Sequence, residues 1–264
     1  MLVSYHTHTI WSDGTADARA MLAAAGNAGL AEIGISDHYV MTPDVEECWS
    51  MPLDFLSEYT NELKDIADNT KTTKLKIGLE ADYFPQTINA LSSELSNYNF
   101  DYIIGSVHIL DGFHLDDTAE KWMDLTQDDI NTVWRNYYLT LAKMAATNLF
   151  DIVGHFDLCK KFAFYPSIDL SGEIDNALDA ISDAGMTIEI NTAGWDKPAA
   201  SAYPEIDILM NANRRNIPII ISADAHATKE INRHYDKAIE LAIKAGYKQQ
   251  TIYTQREKII ISLP

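Results

Sequence analysis

Short apolar runs that break off in polar residues alternate along this chain with longer amphipathic stretches. The runs are LVSYHTH (2–8), AEIGISDH (31–38), LKIGLEADYF (75–84), FDYIIGSVHIL (100–110), FDIVGHF (150–156), MTIEINTA (186–193) and IPIIISADAH (217–226). Their length and β-branched content read as strands. Helical patterning falls near 16–28, 53–69, 86–97, 127–147, 171–184, 204–215 and 230–245. Asp17 or Thr15 is placed to cap the first helix, and Gly29, Gly185 and Gly246 follow the ends of others. Strands alternating with helices predict an α/β fold with a parallel sheet and right-handed crossovers.

Seven such units fit either an open doubly wound sheet or a barrel one unit short of eight. The strand runs end in HTH, SDH, LEAD, SVH, VGH, EIN and SADAH. A barrel gathers all such ends at one mouth, whereas an open sheet uses only those near its switch point. The pattern therefore predicts a barrel. No Pro/Gly/Ser-rich linker, low-complexity tract or internal repeat divides the sequence, so a single domain over 1–264 is expected.

Composition narrows the chemistry. With 264 residues, 47% of them hydrophobic, a large core is within reach. The opening MLVSYHTHT lacks the basic and apolar regions of a signal peptide, and no apolar run approaches the roughly 18 residues of a membrane span. Cys48 and Cys159 are the only cysteines and form no CxxC motif, which fits a reducing cytosol. A cytoplasmic protein without a membrane partner is expected. The net charge of −19 opposes binding to the phosphate backbone of nucleic acid. It also opposes a small anionic substrate, unless bound divalent cations overcome the field.

The histidines point to such cations. Six of the eight, His6, His8, His38, His108, His155 and His226, sit at strand ends; His114 and His234 fall elsewhere. One histidine in such a place is more often structural than a ligand, but the repetition is not expected of independent placement. His6 and His8, two apart on a strand, point to the same face. Zinc, manganese and iron accept imidazole together with carboxylate, whereas calcium and magnesium prefer oxygen. Asp13, Glu80 and Asp224 supply carboxylates alongside. Nine candidate ligands exceed the needs of one ion and suggest two or three, with a bridging carboxylate.

The ordered set HTH (6–8), SDH (36–38), GLEAD (78–82), SVH (106–108), GHFD (154–157) and SADAH (222–226) resembles the polymerase-and-histidinol-phosphatase (PHP) superfamily of metal-dependent phosphoesterases. The resemblance covers essentially the whole chain and implies a distorted seven-stranded (β/α)7, TIM-like barrel. It further implies a trinuclear centre of zinc, manganese or iron. His6, His8, Glu80 and Asp224 would hold one ion; Glu80 would bridge to a second, completed by His108 and His155; and Asp13, His38 and His226 would hold the third. Two such ions about 3.5–4 Å apart activate a bridging hydroxide for in-line attack on phosphorus. No GxSxG or P-loop motif offers another route.

The stretches NYYLTLAKMAATNLFDIVGHFDLCKKF (136–162), EINTAGWDKPAASAYP (189–204) and GYKQQTIYTQREKIIISLP (246–264) look like the PHP-type histidinol-phosphate phosphatases. That resemblance implies hydrolysis of L-histidinol phosphate to L-histidinol and phosphate. In that subfamily an Arg-Lys pair commonly precedes a proline after EINTAG; here Asp196 and Lys197 stand there. Lys197 is a candidate phosphate contact, with Lys160, Lys161 and Arg233 near the same rim. His114 is a candidate acid for the leaving alkoxide. Segment 111–126, acidic and aromatic, reads as a surface loop or part of a lid. The alternatives are another small phosphate ester, a phosphodiester or nucleotide, an amidohydrolase-type reaction, and a non-enzymatic metal-binding role. Oligomeric state is left open.

Overall fold

The computed structural model describes residues 1–43, 47–70 and 72–264. In chain order its elements are β1 (Val3–Ser4), α1 (Ala18–Asn27), β2 (Glu32–Ile35), β3 (His38–Tyr39), α2 (Leu56–Asn69), β4 (Lys74–Ile77), β5 (Glu80–Asp82) and α3 (Ile88–Leu95). There follow β6 (Ile104–Ser106), β7 (Ile109–Leu110), β8 (Phe113–His114), α4 (Ala119–Met123), α5 (Gln127–Ala145), β9 (Ile152–Val153) and α6 (Ser171–Asp183). The chain closes with β10 (Thr187–Asn191), α7 (Ile206–Arg214), β11 (Ile219–Ser222), α8 (Tyr235–Lys244), β12 (Gln249–Thr254) and β13 (Glu257–Ser262).

The α/β character and the parallel pairing are as predicted, but the parallel strands form two sheets rather than one closed ladder. One runs β1-β2-β4 and the other β11-β10-β9-β6-β5-β3. The second and third predicted strands each cross between the sheets, breaking at Ser36–Asp37 and Gly78–Leu79. A side-chain intrusion accompanies the break. The Tyr102 ring occupies the space where a Cβ on Gly34 or Gly78 would lie. The Tyr59 hydroxyl accepts from Asp37 N (3.2 Å) and donates to Gly78 O (2.9 Å), satisfying backbone groups where the ladder opens.

Helix packing follows from the apolar spacing. α5 buries Ile130, Trp134, Tyr137, Tyr138 and Leu141 along one face and starts with a Thr126–Asp129 capping box. Asp17 rather than Thr15 caps α1, accepting from Ala20 N at 2.8 Å. The Thr15 hydroxyl instead reaches His226 O at 2.9 Å. The predicted 53–69 helix opens with a 3-10 turn, Leu53–Phe55.

Three elements were not predicted: the short hairpin β7–β8, helix α4, and the antiparallel hairpin β12–β13. The terminal hairpin lays Ile252 and Tyr253 against Val3, Tyr5, Tyr102, Ile104, Ile152 and Ile220, near where the parallel strands begin. The opposite strand ends stay open to solvent. Among the described residues no helix is long and apolar enough to cross a membrane.

Candidate metal centre

The residues that end the parallel strands converge. His6 and His8 leave the extension of β1, where His8 N donates to Ala225 O (2.9 Å) and Ala225 N donates to His6 O (3.2 Å). This pairing sets the first strand beside the segment carrying Asp224. Asp224 itself takes a left-handed backbone (φ 50°), uncommon for a residue with a side chain. Its conformation is supported by Arg233, which donates from Nε to Ala223 O (3.0 Å) and from Nη2 to Asp224 O (2.5 Å). Asp13 arrives on the β1–α1 loop, whose shape Asp37 imposes by accepting from Thr9 N (2.7 Å), Thr9 Oγ1 (2.9 Å) and Ser12 Oγ (2.7 Å).

Four overlapping groups of ligand atoms result: His6–His8–Asp224; His6–Glu80–His155; His38–Glu80–His108; and His8–Asp13–His38–His226. Within each, the atoms lie within 4.8 Å of one another. Glu80, fully buried, stands between them. Its Oε2 is 2.8 Å from His38 Nδ1, 3.1 Å from His6 Nε2 and 3.5 Å from His8 Nε2. Its Oε1 is 3.0 Å from His155 Nε2 and 3.6 Å from His108 Nε2. Asp13 Oδ1 lies 3.3 Å from His226 Nε2 and 3.7 Å from His38 Nε2.

These short distances are largely not hydrogen bonds. His6 Nε2, both ring nitrogens of His8, His38 Nδ1 and Glu80 Oε2 are buried and have no hydrogen-bond partner. Buried polar atoms normally find partners. Nitrogen and oxygen atoms that crowd together without pairing are aimed at a shared point, which is what a cation with mixed imidazole and carboxylate ligands requires. The residues present fit divalent metal ions.

Electrostatics agree. Burial disfavours charge on Glu80, yet His6, His38 and His108 hold its carboxyl well below the usual range. Asp224 is likewise held down against burial by His6, His8 and His226. Burial, reinforced by His38 and His226, pushes His8 down to about 3, leaving a neutral imidazole. His6 goes the other way: burial opposes its charge, but Glu189, Glu80 and Asp224 raise it well above its ordinary value. His108 is raised to about 10 against burial, by Asp82 and then Glu80. Metal binding at such ligands would displace protons from the imidazole rings.

Two further carboxylates, which sequence reasoning left without a role, orient the imidazoles. Glu189 Oε1 is 2.7 Å from His6 Nδ1, and its Oε2 accepts from His155 N (3.1 Å) and Asn191 Nδ2 (3.1 Å). Asp82 Oδ1 is 2.7 Å from His108 Nδ1, with Oδ2 accepting from His108 N (2.9 Å). Bonding one ring nitrogen fixes the tautomer and aims the other at the centre. The signal was present in EAD (80–82) and EIN (189–191), where polar residues two apart share a strand face.

The cluster opens into a cavity of about 610 Å³. Lys161, Lys197 and Arg233 line it, as do His114, Asp116 and Tyr203. Lys161 Nζ donates to Asp116 O (2.6 Å) and Oδ2 (3.2 Å). Burial, with Lys161 nearby, lowers Lys197 from the ordinary lysine value. His114, on β8, sits 3.7 Å from Glu47 Oε1. Lys160 is a correction to the expected contacts: it is off the cavity wall and fully buried. Its Nζ is held by Ala202 O (2.6 Å), Glu205 Oε1 (2.9 Å) and Asp157 Oδ2 (2.9 Å). A buried ammonium with three oxygen partners is structural. Asp196 contacts His234 Nε2 (2.6 Å) and lies 3.7 Å from Arg233 Nη1.

Comparisons with known proteins agree with this picture. The PHP domain family model matches residues 4–193. A probable histidinol-phosphatase of Deinococcus radiodurans is 33% identical over 248 residues, covering 90% of this chain and 92% of that protein. The histidinol-phosphatase of Bacillus subtilis is 27% identical over 203 residues, covering 70% and 76%. Among solved structures, histidinol phosphate phosphatase from Lactococcus lactis, complexed with zinc, L-histidinol and phosphate, superposes with a TM-score of 0.81. At 24% identity it covers 97% of this chain and 98% of its own, and it supports the fold.

Proposed function

Because the chain belongs to the PHP domain family, we propose that it is a metal-dependent phosphomonoesterase that hydrolyses L-histidinol phosphate to L-histidinol and phosphate. The observation that carries the reading is the convergence of unpaired buried imidazole and carboxylate atoms on a cavity that also holds Lys161, Lys197 and Arg233. Cations alone would make a metal store. Cations facing a lysine- and arginine-bearing wall make a place for an anion, in a chain whose overall charge of −19 would otherwise exclude one.

We assign His6, His8, Glu80 and Asp224 to one ion, Glu80 with His108 and His155 to a second, and Asp13, His38 and His226 to a third. The centre would hold two to three divalent transition-metal ions, zinc, manganese or iron. Such ions would lower the pKa of water towards neutrality and offset the charge that builds on phosphoryl oxygens. The chain's part is to fix their ligands. Glu189 and Asp82 hold the His6 and His108 rings, Arg233 holds the backbone that presents Asp224, and Lys197 offers an ammonium to the phosphate. His114, on the cavity wall, is the assigned proton donor to the leaving alkoxide.

The two sheets are read as one distorted seven-stranded barrel within a single domain, 1–264. Support comes from the parallel Thr7–Ala225 bridge between the extensions of β1 and β11 and from Ser36 N donating to Thr7 O at 2.9 Å. A cytoplasmic setting fits the free thiols of Cys48 and Cys159. The test is a panel of phosphomonoesters compared by kcat/KM. Histidinol phosphate is expected to exceed sugar and nucleoside phosphates by at least about tenfold, the range one specific polar recognition provides. Equal values would remove the substrate assignment, and no hydrolysis with two or more ions bound would remove the phosphatase.

A further inference from the structure

Tyr203, one of the residues that line the cavity, carries a buried hydroxyl with no part in the metal centre. Tyr203 is 1% exposed, and its Oη makes no hydrogen bond. An unpaired buried hydroxyl is destabilising, and the surrounding chain holds it in place regardless. Asn191 N donates to Tyr203 O (2.7 Å) and Tyr203 N donates to Asn191 O (3.0 Å), so its backbone is bridged to the end of β10. The Asn191 side chain in turn donates to Glu189 Oε2 (3.1 Å) and Asp224 Oδ2 (3.0 Å), which ties the tyrosine to the ligand cluster.

The ring is confined as closely as the backbone. Lys160 Nζ lies over it, 5.4 Å from the centroid, and His155 meets it edge-on at 6.4 Å. On the remaining side a Cβ at position 194 would come within 2.9 Å of Tyr203 Cε2 and 2.2 Å of Ser201 O, so the loop there accepts only Gly194. Lys160, a candidate substrate contact in the sequence, thus packs over this ring, off the cavity wall. Tyr203 shares the cavity wall with Lys197 and Arg233. The Lys197 ammonium also has no side-chain hydrogen bond or ion pair among the described residues. A fixed neutral donor and an unpaired cation lining one cavity, which also holds the metal-ligand cluster, match the chemistry of a phosphoryl group, whose oxygens accept several hydrogen bonds at once.

We propose that the Tyr203 hydroxyl donates a hydrogen bond to a phosphoryl oxygen of the substrate, in the cavity that Lys197 also lines. This rests on the phosphomonoesterase reading and adds a substrate contact to it. The test is Tyr203→Phe in the metal-loaded protein, with histidinol phosphate and p-nitrophenyl phosphate as substrates and inorganic phosphate as a binding probe. Because the lost hydroxyl has no partner in the free protein, Tm and bound metal are expected to stay unchanged, or Tm to rise. kcat/KM is expected to fall by about 10- to 100-fold, equally for both esters, since the contact is to the part they share. The Kd for phosphate is expected to rise at least about tenfold. A lowered Tm with unchanged phosphate affinity would mean a structural tyrosine. A loss confined to histidinol phosphate would place the contact on the alcohol half, and unchanged kinetics and affinity would remove the contact; each overturns the proposal. Should the wild-type protein hydrolyse neither ester, the phosphatase reading fails. Phosphate affinity of the two proteins would then still decide Tyr203.

Discussion

The two ends of the parallel strands both bury polar side chains, and they treat them in opposite ways. At the hairpin end Tyr5 Oη donates to Glu32 Oε2 (2.5 Å), Tyr102 Oη donates to Tyr5 O (2.6 Å), and Thr187 Oγ1 pairs with Tyr253 Oη (2.6 Å). Lys76 Nζ donates to Thr254 Oγ1 at 2.6 Å. Apart from Gln250 Oε1, these groups are paired. At the open end, His6 Nε2, both His8 nitrogens, His38 Nδ1 and Glu80 Oε2 crowd together unpaired. One chain with one set of strands can satisfy its buried polar atoms, so leaving them unsatisfied at one end marks a site shaped for something other than protein.

The strongest way to break the comparison is to remove the convergence point. Glu80→Ala or His6→Ala is expected to lower phosphomonoester hydrolysis by at least about 10³-fold, because Glu80 is assigned to two of the ions and His6 completes one of them. Adding metal to the chelated wild-type protein should raise its Tm by several degrees, since ligand bound only to the folded state stabilises it. Metal analysis, kcat on p-nitrophenyl phosphate and thermal melts check this together. Full retained activity would place the chemistry elsewhere.

The orienting carboxylates test the same end more gently. Glu189→Gln and Asp82→Asn keep shape and remove charge behind His6 and His108. Metal affinity is expected to fall by about 10- to 100-fold, with hydrolysis recovering as metal is added. A loss that excess metal does not restore would show a direct role in the reaction instead.

At the hairpin end the expected outcome is reversed. Tyr5→Phe deprives the buried Glu32 carboxylate of its shortest partner. That should cost about 1–3 kcal/mol, or a Tm lower by roughly 2–10 °C for a chain of this size. Activity at 25 °C should change less than about twofold, because Tyr5 and His6, adjacent in an extended run, point to opposite faces. A large activity loss with little change in Tm would erase the distinction between the two ends.

How much of this was legible in the sequence follows from the same contrast. The open end was readable because histidine and carboxylate are rare enough at strand termini for their recurrence to stand out. The nine residues so identified are brought together within the four ligand groups and around Glu80. What could not be read was the division of labour among like residues. Glu80 faces the centre while Asp82, two positions on, holds His108 from behind. Lys160 and Lys161 are adjacent, yet a 3-10 turn over Leu158–Lys160 buries the first and leaves the second on the cavity wall. The hairpin end was nearly silent, since GYKQQTIYTQREKIIIS carries no period that announces what Ile252 and Tyr253 cover. Its role depends on Tyr5 and Tyr102, some 250 and 150 residues earlier in the chain, and such long-range complementarity leaves no local pattern.

Asp196 gives the smallest and finest test, because it marks where the chain departs from the Arg-Lys pattern beside Lys197. It is half exposed, so its contacts with His234 and Arg233 should be screened. The His234 hydrogen bond holds its carboxyl below the usual carboxylate value; burial works against it, and the charges of His234, Arg233 and Lys197 add to the lowering. A depressed folded-state pKa contributes stability above the unfolded value of about 3.9 and loses it as pH falls through the folded value. Asp196→Asn should therefore lower Tm at neutral pH by no more than about 2 °C, and the difference should vanish in acid. Melting curves of both proteins from pH 3 to 7 measure it. A difference that grew towards acid would mean that the ionised carboxylate destabilises this rim, and that Asp196 is held there by the demands of the neighbouring Lys197 wall rather than by its own contacts.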